Sequence, residues 1–142
     1  MTDRPDLVED LAALLRRLGM VMREHIHETV ATHGLTPPQA WALQALEGPC
    51  HMSVLAERLR FDKSYVTGLA DTLEGQGLVE RNTDPSDRRA KLLSLTDAGR
   101  EMQDRVKADA LARLPIGVEL SDDEMVALIG LLARALPETD DC

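Results

Sequence analysis

Between residues 78 and 95 a chain otherwise patterned with helical periodicity breaks into two short, β-compatible runs, Leu78–Arg81 and Lys91–Leu95. They are separated by Asn82-Thr83-Asp84-Pro85-Ser86-Asp87-Arg88-Arg89-Ala90. Asn, Asp, Ser and Pro favour turns because they bond their own backbone or preset φ. The spacing predicts a two-stranded hairpin with a long, charged tip, set among helices. A mainly α fold with one small β element follows.

The helices around it carry their own start and stop signals. Leu7, Leu11, Leu14, Leu15, Leu18, Val21, Met22, Ile26 and Val30 form a stripe that predicts one helix over 7–33, ended by Gly34. A stripe that wide belongs either to the core of a helical bundle or to a subunit interface. Thr36-Pro37-Pro38-Gln39 starts a second helix, which runs through Trp41, Leu43 and Leu46 until Gly48-Pro49 breaks it. A short helix is predicted over 53–60. Asp62 then caps a fourth that runs to Gly75, with Val66, Leu69, Ala70 and Leu73 inward. After the hairpin, Thr96-Asp97 caps a fifth helix to about Arg113. Ser121-Asp122-Asp123-Glu124 is a capping box that opens a sixth, with Met125, Leu128, Ile129, Leu132 and Leu136 apolar. The tail 137–142 is expected to be disordered.

At 142 residues the chain suits one domain. No apolar run nears the roughly 18 residues that cross a bilayer. The first residues are acidic where a signal peptide would be basic, so a cytoplasmic location is expected. Cys50 and Cys142 form no metal-type pair, and the cytosol would keep them reduced. The net charge of −9 argues at first against a nucleic-acid partner. Its distribution answers that objection. From His51 to Arg100 eight basic residues face eight acidic ones, so the two ends hold the whole excess.

Helix, short helix, tight connection, helix and β hairpin is the order of a winged helix-turn-helix. Once its inward set is removed, the fourth helix shows Lys63, Ser64, Thr67, Gly68, Asp71 and Thr72, with Tyr65 at the edge. Such a face is either simply solvated or a reader of phosphates and base edges. Gly68 is either tolerated or permits close approach of another backbone. At the hairpin tip, Arg88 and Arg89 suit a narrow, electronegative minor groove, with Asp87 placed to orient Arg89 through an ion pair. Taken alone, the tip reads equally as an exposed loop of mixed charge.

The run Asp84-Pro85-Ser86-Asp87-Arg88-Arg89-Ala90-Lys91-Leu92-Leu93-Ser94-Leu95-Thr96-Asp97-Ala98-Gly99 resembles the wing signature of the multiple-antibiotic-resistance regulator (MarR) family. Leu73-Glu74 with Gly77-Leu78-Val79 is similar to the end of that family's recognition helix, and Leu55-Ala56-Glu57-Arg58-Leu59 to the helix before it. The resemblance covers essentially the whole chain. It implies a winged helix-turn-helix over 36–95 and dimerisation helices at 7–33 and 96–136. The homodimer would bind a double-stranded, pseudo-palindromic operator as a repressor, with half-sites roughly 34–36 Å apart. By the same resemblance Arg89 is the wing arginine and Asp87 its partner, while Ser64, Tyr65, Thr67 and Gly68 face the major groove. Lys63, Arg58, Arg88 and Lys91 complete the expected DNA-binding set. This chain departs from the family in lacking a basic residue near Gly68 and at Thr72.

The resemblance also implies a small phenolic or anionic effector between the dimerisation helices and the winged region. Met20, Met22, His25 and Trp41 are its expected contacts, with ordinary core packing as the other reading. His25, His27, His33 and His51 form no ligand cluster, so neither metal nor other cofactor is expected. The family's hydroperoxide-sensing branch uses a cysteine in the first helix, where this chain has none, which leaves a redox role for Cys50 unsupported. No nucleophile elbow or phosphate-binding loop marks an enzyme. The alternative is a winged-helix dimerisation module that binds protein rather than DNA.

Overall fold

The computed structural model describes residues 3–136, so the tail expected to be disordered lies outside the described residues. Helix α1 (Arg4–Thr32) starts before its apolar stripe, because the Asp3 carboxylate accepts the Arg4 N–H at 2.8 Å and Pro5 fits the first turn. Gly34, at φ +70°, closes it and lets the Leu35 N–H reach back to the Val30 carbonyl at 3.0 Å. Helix α2 (Pro37–Ala45) opens where the Gln39 side-chain oxygen accepts the Thr36 N–H at 2.9 Å. Strand β1 (Cys50–His51) leads into α3 (Met52–Leu59), and α4 (Lys63–Gly75) follows. Asp62 occupies the N-cap position of α4 without the side-chain bond expected of it.

Strands β2 (Val79–Thr83) and β3 (Lys91–Leu95) pair antiparallel from Val79↔Leu95 to Thr83↔Lys91. The sequence predicts two strands; the sheet has three, ordered β1-β3-β2, with Cys50 opposite Leu93. Two residues are too few for an alternating pattern to announce β1. Helix α5 (Asp97–Ala112) is capped by the Thr96 hydroxyl, which accepts the Gly99 N–H at 3.0 Å. In α6 (Asp122–Ala135) both halves of the expected capping box form between Ser121 and Glu124. Hydrogen bonds from the Ser121 backbone and hydroxyl hold the Glu124 carboxyl below its ordinary range.

The core lies in the middle of the chain. Leu43, Leu46, Leu55, Val66, Leu73, Val79 and Leu93 are almost wholly buried, each large side chain contributing about 1.5–3 kcal/mol. Helix α1 adds only Thr29 and Val30, and α6 buries nothing.

Two kinds of contact join this core to α5. A Cβ on Gly99 would stand 1.9 Å from the Leu78 carbonyl oxygen, so only glycine lets α5 start against the root of β2. Further along, Gln103 donates to the Leu43 carbonyl at 2.6 Å, and Gln44 donates back to the Gln103 carbonyl at 3.1 Å. His25 and the Ala110 carbonyl (2.9 Å) then link α1 to α5, as do His33 and Asp109 (3.2 Å). No helix among the described residues is long and apolar enough to cross a membrane.

Candidate nucleic-acid interface

The connection between α3 and α4 is tight because Arg60 takes a left-handed conformation, φ 53°, and its N–H returns to the carbonyls of Ala56 and Glu57. Phe61 follows and packs 6.2 Å from Trp41 and 5.1 Å, edge-on, from Tyr65. The chain has one Trp, one Phe and one Tyr, and all three meet here. Such a cluster fixes the start of α4 through apolar area and ring geometry together. Val66, Leu69, Ala70 and Leu73 then anchor the inner face of α4.

Its outer face is as expected. Lys63, Ser64, Tyr65, Thr67, Gly68, Asp71 and Thr72 are exposed, and Ser64, Tyr65, Gly68 and Thr72 line a shallow groove of about 360 Å³. Nothing lies within 4 Å of where a Gly68 Cβ would be, so no neighbour among the described residues explains this glycine.

The wing is fastened to that helix by a residue the sequence reading missed. Arg81 on β2 reaches Asp71 at 2.5 Å and also bonds Glu74, both on α4. One guanidinium thereby offsets two carboxylates beside the polar face. At the far end of β2, Asp84 is 7% exposed and accepts the Ser86 N–H at 2.8 Å and the Ser86 hydroxyl at 2.6 Å. These bonds, with His51 at 3.0 Å, hold its carboxyl below the ordinary value. The buried Asp84 therefore closes the tip onto its own backbone and onto β1. An Asp two residues before a Ser marks such a turn in sequence; His51, 33 residues away, carries no local mark.

Arg88 and Arg89 are exposed, and neither forms an ion pair among the described residues. The ion pair expected between Asp87 and Arg89 is not formed. Asp87 instead accepts the Arg89 backbone N–H at 3.0 Å, because the turn points its carboxylate at the backbone. Asp87 thus shapes the loop and leaves the guanidinium unpaired. Lys91 donates to the Thr83 hydroxyl at 2.8 Å, across the hairpin. Arg58 donates to the Ala45 carbonyl at 3.0 Å, capping the end of α2 as well as facing solvent.

The expected effector residues do not converge. Trp41 lines an almost wholly apolar cavity of about 240 Å³, with Ile26, Val30, Val106, Lys107 and Leu111. His25 lines a separate, more polar one of about 360 Å³, with Glu24, Glu28 and Arg113. Met20 and Met22 line neither: Val21, between them, is the residue of that turn that reaches the His25 cavity, and Met20 is largely exposed. Among the described residues no three His, Cys, Asp or Glu side chains are grouped to hold a metal ion. Cys50 is buried, and burial pushes its thiol up despite the nearby Arg58, away from the reactive thiolate.

An exposed polar helix behind a tight helix–helix turn, braced by a β wing with unpaired arginines, defines a winged helix-turn-helix DNA-binding protein. Comparison with known proteins narrows this class. Residues 33–90 match the model of the MarR family. The chain is 31% identical to the HTH-type transcriptional repressor MdtR of Bacillus subtilis (strain 168), over 99% of this chain and 94% of that one. A MarR family protein from Bacillus stearothermophilus superimposes with a TM-score of 0.85 at 26% identity, covering 94% of this chain and 95% of its own. The transcriptional repressor CouR, solved bound to a 23-mer DNA duplex, gives 0.73 at 31% identity over 95% and 98%. The chain belongs to the MarR family of winged-helix transcriptional regulators.

Proposed function

We propose that two copies of this chain join through α1, α5 and α6 and repress transcription by binding a pseudo-palindromic operator, one winged region (36–95) to each half-site. The observation that carries this reading is Arg81, which braces the wing against α4 while Arg88 and Arg89 stay unpaired. Helix α4 enters the major groove with Ser64, Tyr65, Thr67 and Gly68, and Lys63 approaches the backbone. Arg89 enters the minor groove, Arg88 and Lys91 flank it, and Arg58 contacts phosphate with the donors left over from Ala45. With one cation on α4, affinity rests chiefly on the wing. The acidic ends keep the rest of the surface off DNA.

The apolar faces of the terminal helices support the dimer. Leu7, Leu11, Leu14 and Leu15 of α1 and Val126, Ile129 and Leu131 of α6 are exposed in the single chain, far more apolar surface than a monomer normally shows. The apolar cavity beside Trp41 takes a small phenolic or anionic effector, with Lys107 as its charge partner. It is bounded by α1, α2 and α5, so an occupant that favours one arrangement of these helices shifts the spacing of the two α4 helices. The reading assigns the chain no catalytic step.

A gel shift with the DNA flanking the chain's own gene tests the proposal. A retarded, salt-sensitive complex is expected, and Arg89→Ala should weaken it by about 1–3 kcal/mol without dissociating the dimer. Absence of any salt-sensitive shift removes the repressor reading. Unchanged affinity of Arg89→Ala across salt concentrations removes the role of that residue.

A further inference from the structure

We infer that α4 recognises adenine amino groups and thymine methyls with Thr67–Thr72, and leaves guanine to the donors at its start, Lys63, Ser64 and Tyr65, so that the operator is A·T-rich under the rest of this helix. The inference rests on the proposed DNA-binding role of the face and adds what the face reads. It starts from where the hydroxyl hydrogens go. Thr67 Oγ1 donates to the Lys63 carbonyl at 2.8 Å, and Thr72 Oγ1 donates to the Gly68 carbonyl at 3.1 Å. A hydroxyl has one hydrogen, so each oxygen presents only lone pairs outward. Asp71, on the same face, is a carboxylate and likewise only an acceptor, its charge offset by Arg81 at 2.5 Å.

Beyond Lys63, Ser64 and Tyr65 the face therefore shows acceptors, two threonine methyls and a bare glycine. Guanine offers two acceptors in the major groove, N7 and O6, and has nothing to give such a surface. Acceptor facing acceptor leaves both desolvated and unpaired, which is the costly case. Adenine N6 and cytosine N4 are amino donors, and either satisfies the lone pairs. Thymine alone adds a C5-methyl, the partner of a threonine methyl, and this selects A·T over G·C. The open space around Gly68 lets that methyl row come close to the helix backbone. A wing arginine in the adjoining minor groove favours the same composition, since A-tracts narrow that groove.

Binding-site selection with the full-length protein and a randomised duplex library is the test, followed by base analogues in the selected site. Thymidine replaced by deoxyuridine loses the C5-methyl, and adenine replaced by unsubstituted purine loses the N6 amino group. Thr67→Val keeps the methyl and removes the acceptor; it should bind about five- to tenfold more weakly and become indifferent to the purine analogue. Thr67→Ser keeps the acceptor and removes the methyl, and should become indifferent to deoxyuridine. Guanine enriched at the positions whose preference Thr67→Val alters overturns the inference alone, as do variants that respond to both analogues as the parent does. A library from which no sequence is enriched at any salt concentration overturns it together with the DNA-binding reading.

Discussion

The winged middle of the molecule and its terminal helices spend their apolar residues in opposite ways. Helix α4, 13 residues long, buries four side chains against α2, α3 and the sheet. Helix α6, 14 residues long and richer in Leu, Ile and Val, buries none. The middle closes on itself, and in the proposed dimer the ends are closed by a second copy. Stability of the first kind belongs to the single chain, whereas that of the second varies with protein concentration.

The largest test of that contrast is a cavity made on each side. Leu73→Ala should cost about 2–5 kcal/mol in urea unfolding, at any protein concentration. Leu14→Ala, exposed in the single chain, should act chiefly by weakening the dimer, visible in sedimentation as dissociation at higher concentration. Equal, concentration-independent losses for the two would erase the distinction.

Gly99→Ala strikes the joint between the regions. With the Leu78 carbonyl in the way, a shift of the β2 root or of α5 is forced, at about 1–3 kcal/mol. The same substitution at Gly68, which meets nothing, should leave the melting temperature unchanged or slightly raised. A stable Gly99→Ala protein with full DNA affinity would show that the joint tolerates movement.

Arg81→Met should cost about 1 kcal/mol or less in stability, its partners being exposed, yet weaken DNA binding by freeing the wing and uncovering two carboxylates. Loss of stability without loss of affinity would make Arg81 a purely structural residue.

The smallest effect is that of acid. Asp84 in the middle, and Asp109 and Glu124 in the terminal helices, are all held below their ordinary values, Asp109 first by its hydrogen bond to Arg113. A carboxyl lowered in the folded state contributes stability above its unfolded pKa and loses it as pH falls through the folded one. Melting temperature should therefore be insensitive to these groups near neutrality and decline below about pH 4. Asp84→Asn should flatten only the wing's share, measured by hydrogen exchange in β2 and β3. An unaltered acid profile in that variant would detach Asp84 from the decline.

Features built from neighbours in sequence are legible before folding. Thr96 with Gly99, Ser121 with Glu124, Gly34 and the hairpin all follow from spacing. Features that cross between elements are not. Arg81 meets carboxylates seven and ten residues back, and no periodicity of helix or strand links them. His51 finds Asp84 through β1, a strand too short to foresee. The polar face of α4 was visible because it is what remains when an inward stripe is subtracted. The direction in which Thr67 and Thr72 spend their hydrogens was not, since it depends on rotamers.

The aromatic trio has a practical consequence. Trp41, the chain's one indole, stands 44% exposed, lines the apolar cavity and lies 6.2 Å from Phe61, which abuts Tyr65 at the edge of the α4 groove. The single indole thus borders both the cavity proposed for the effector and the ring stack leading to the proposed nucleic-acid face. An occupant of that cavity should exclude water from the indole and shift its emission to the blue, a change that a fluorescence titration reads directly. Under that reading the protein carries its own optical gauge for the cavity, without a label.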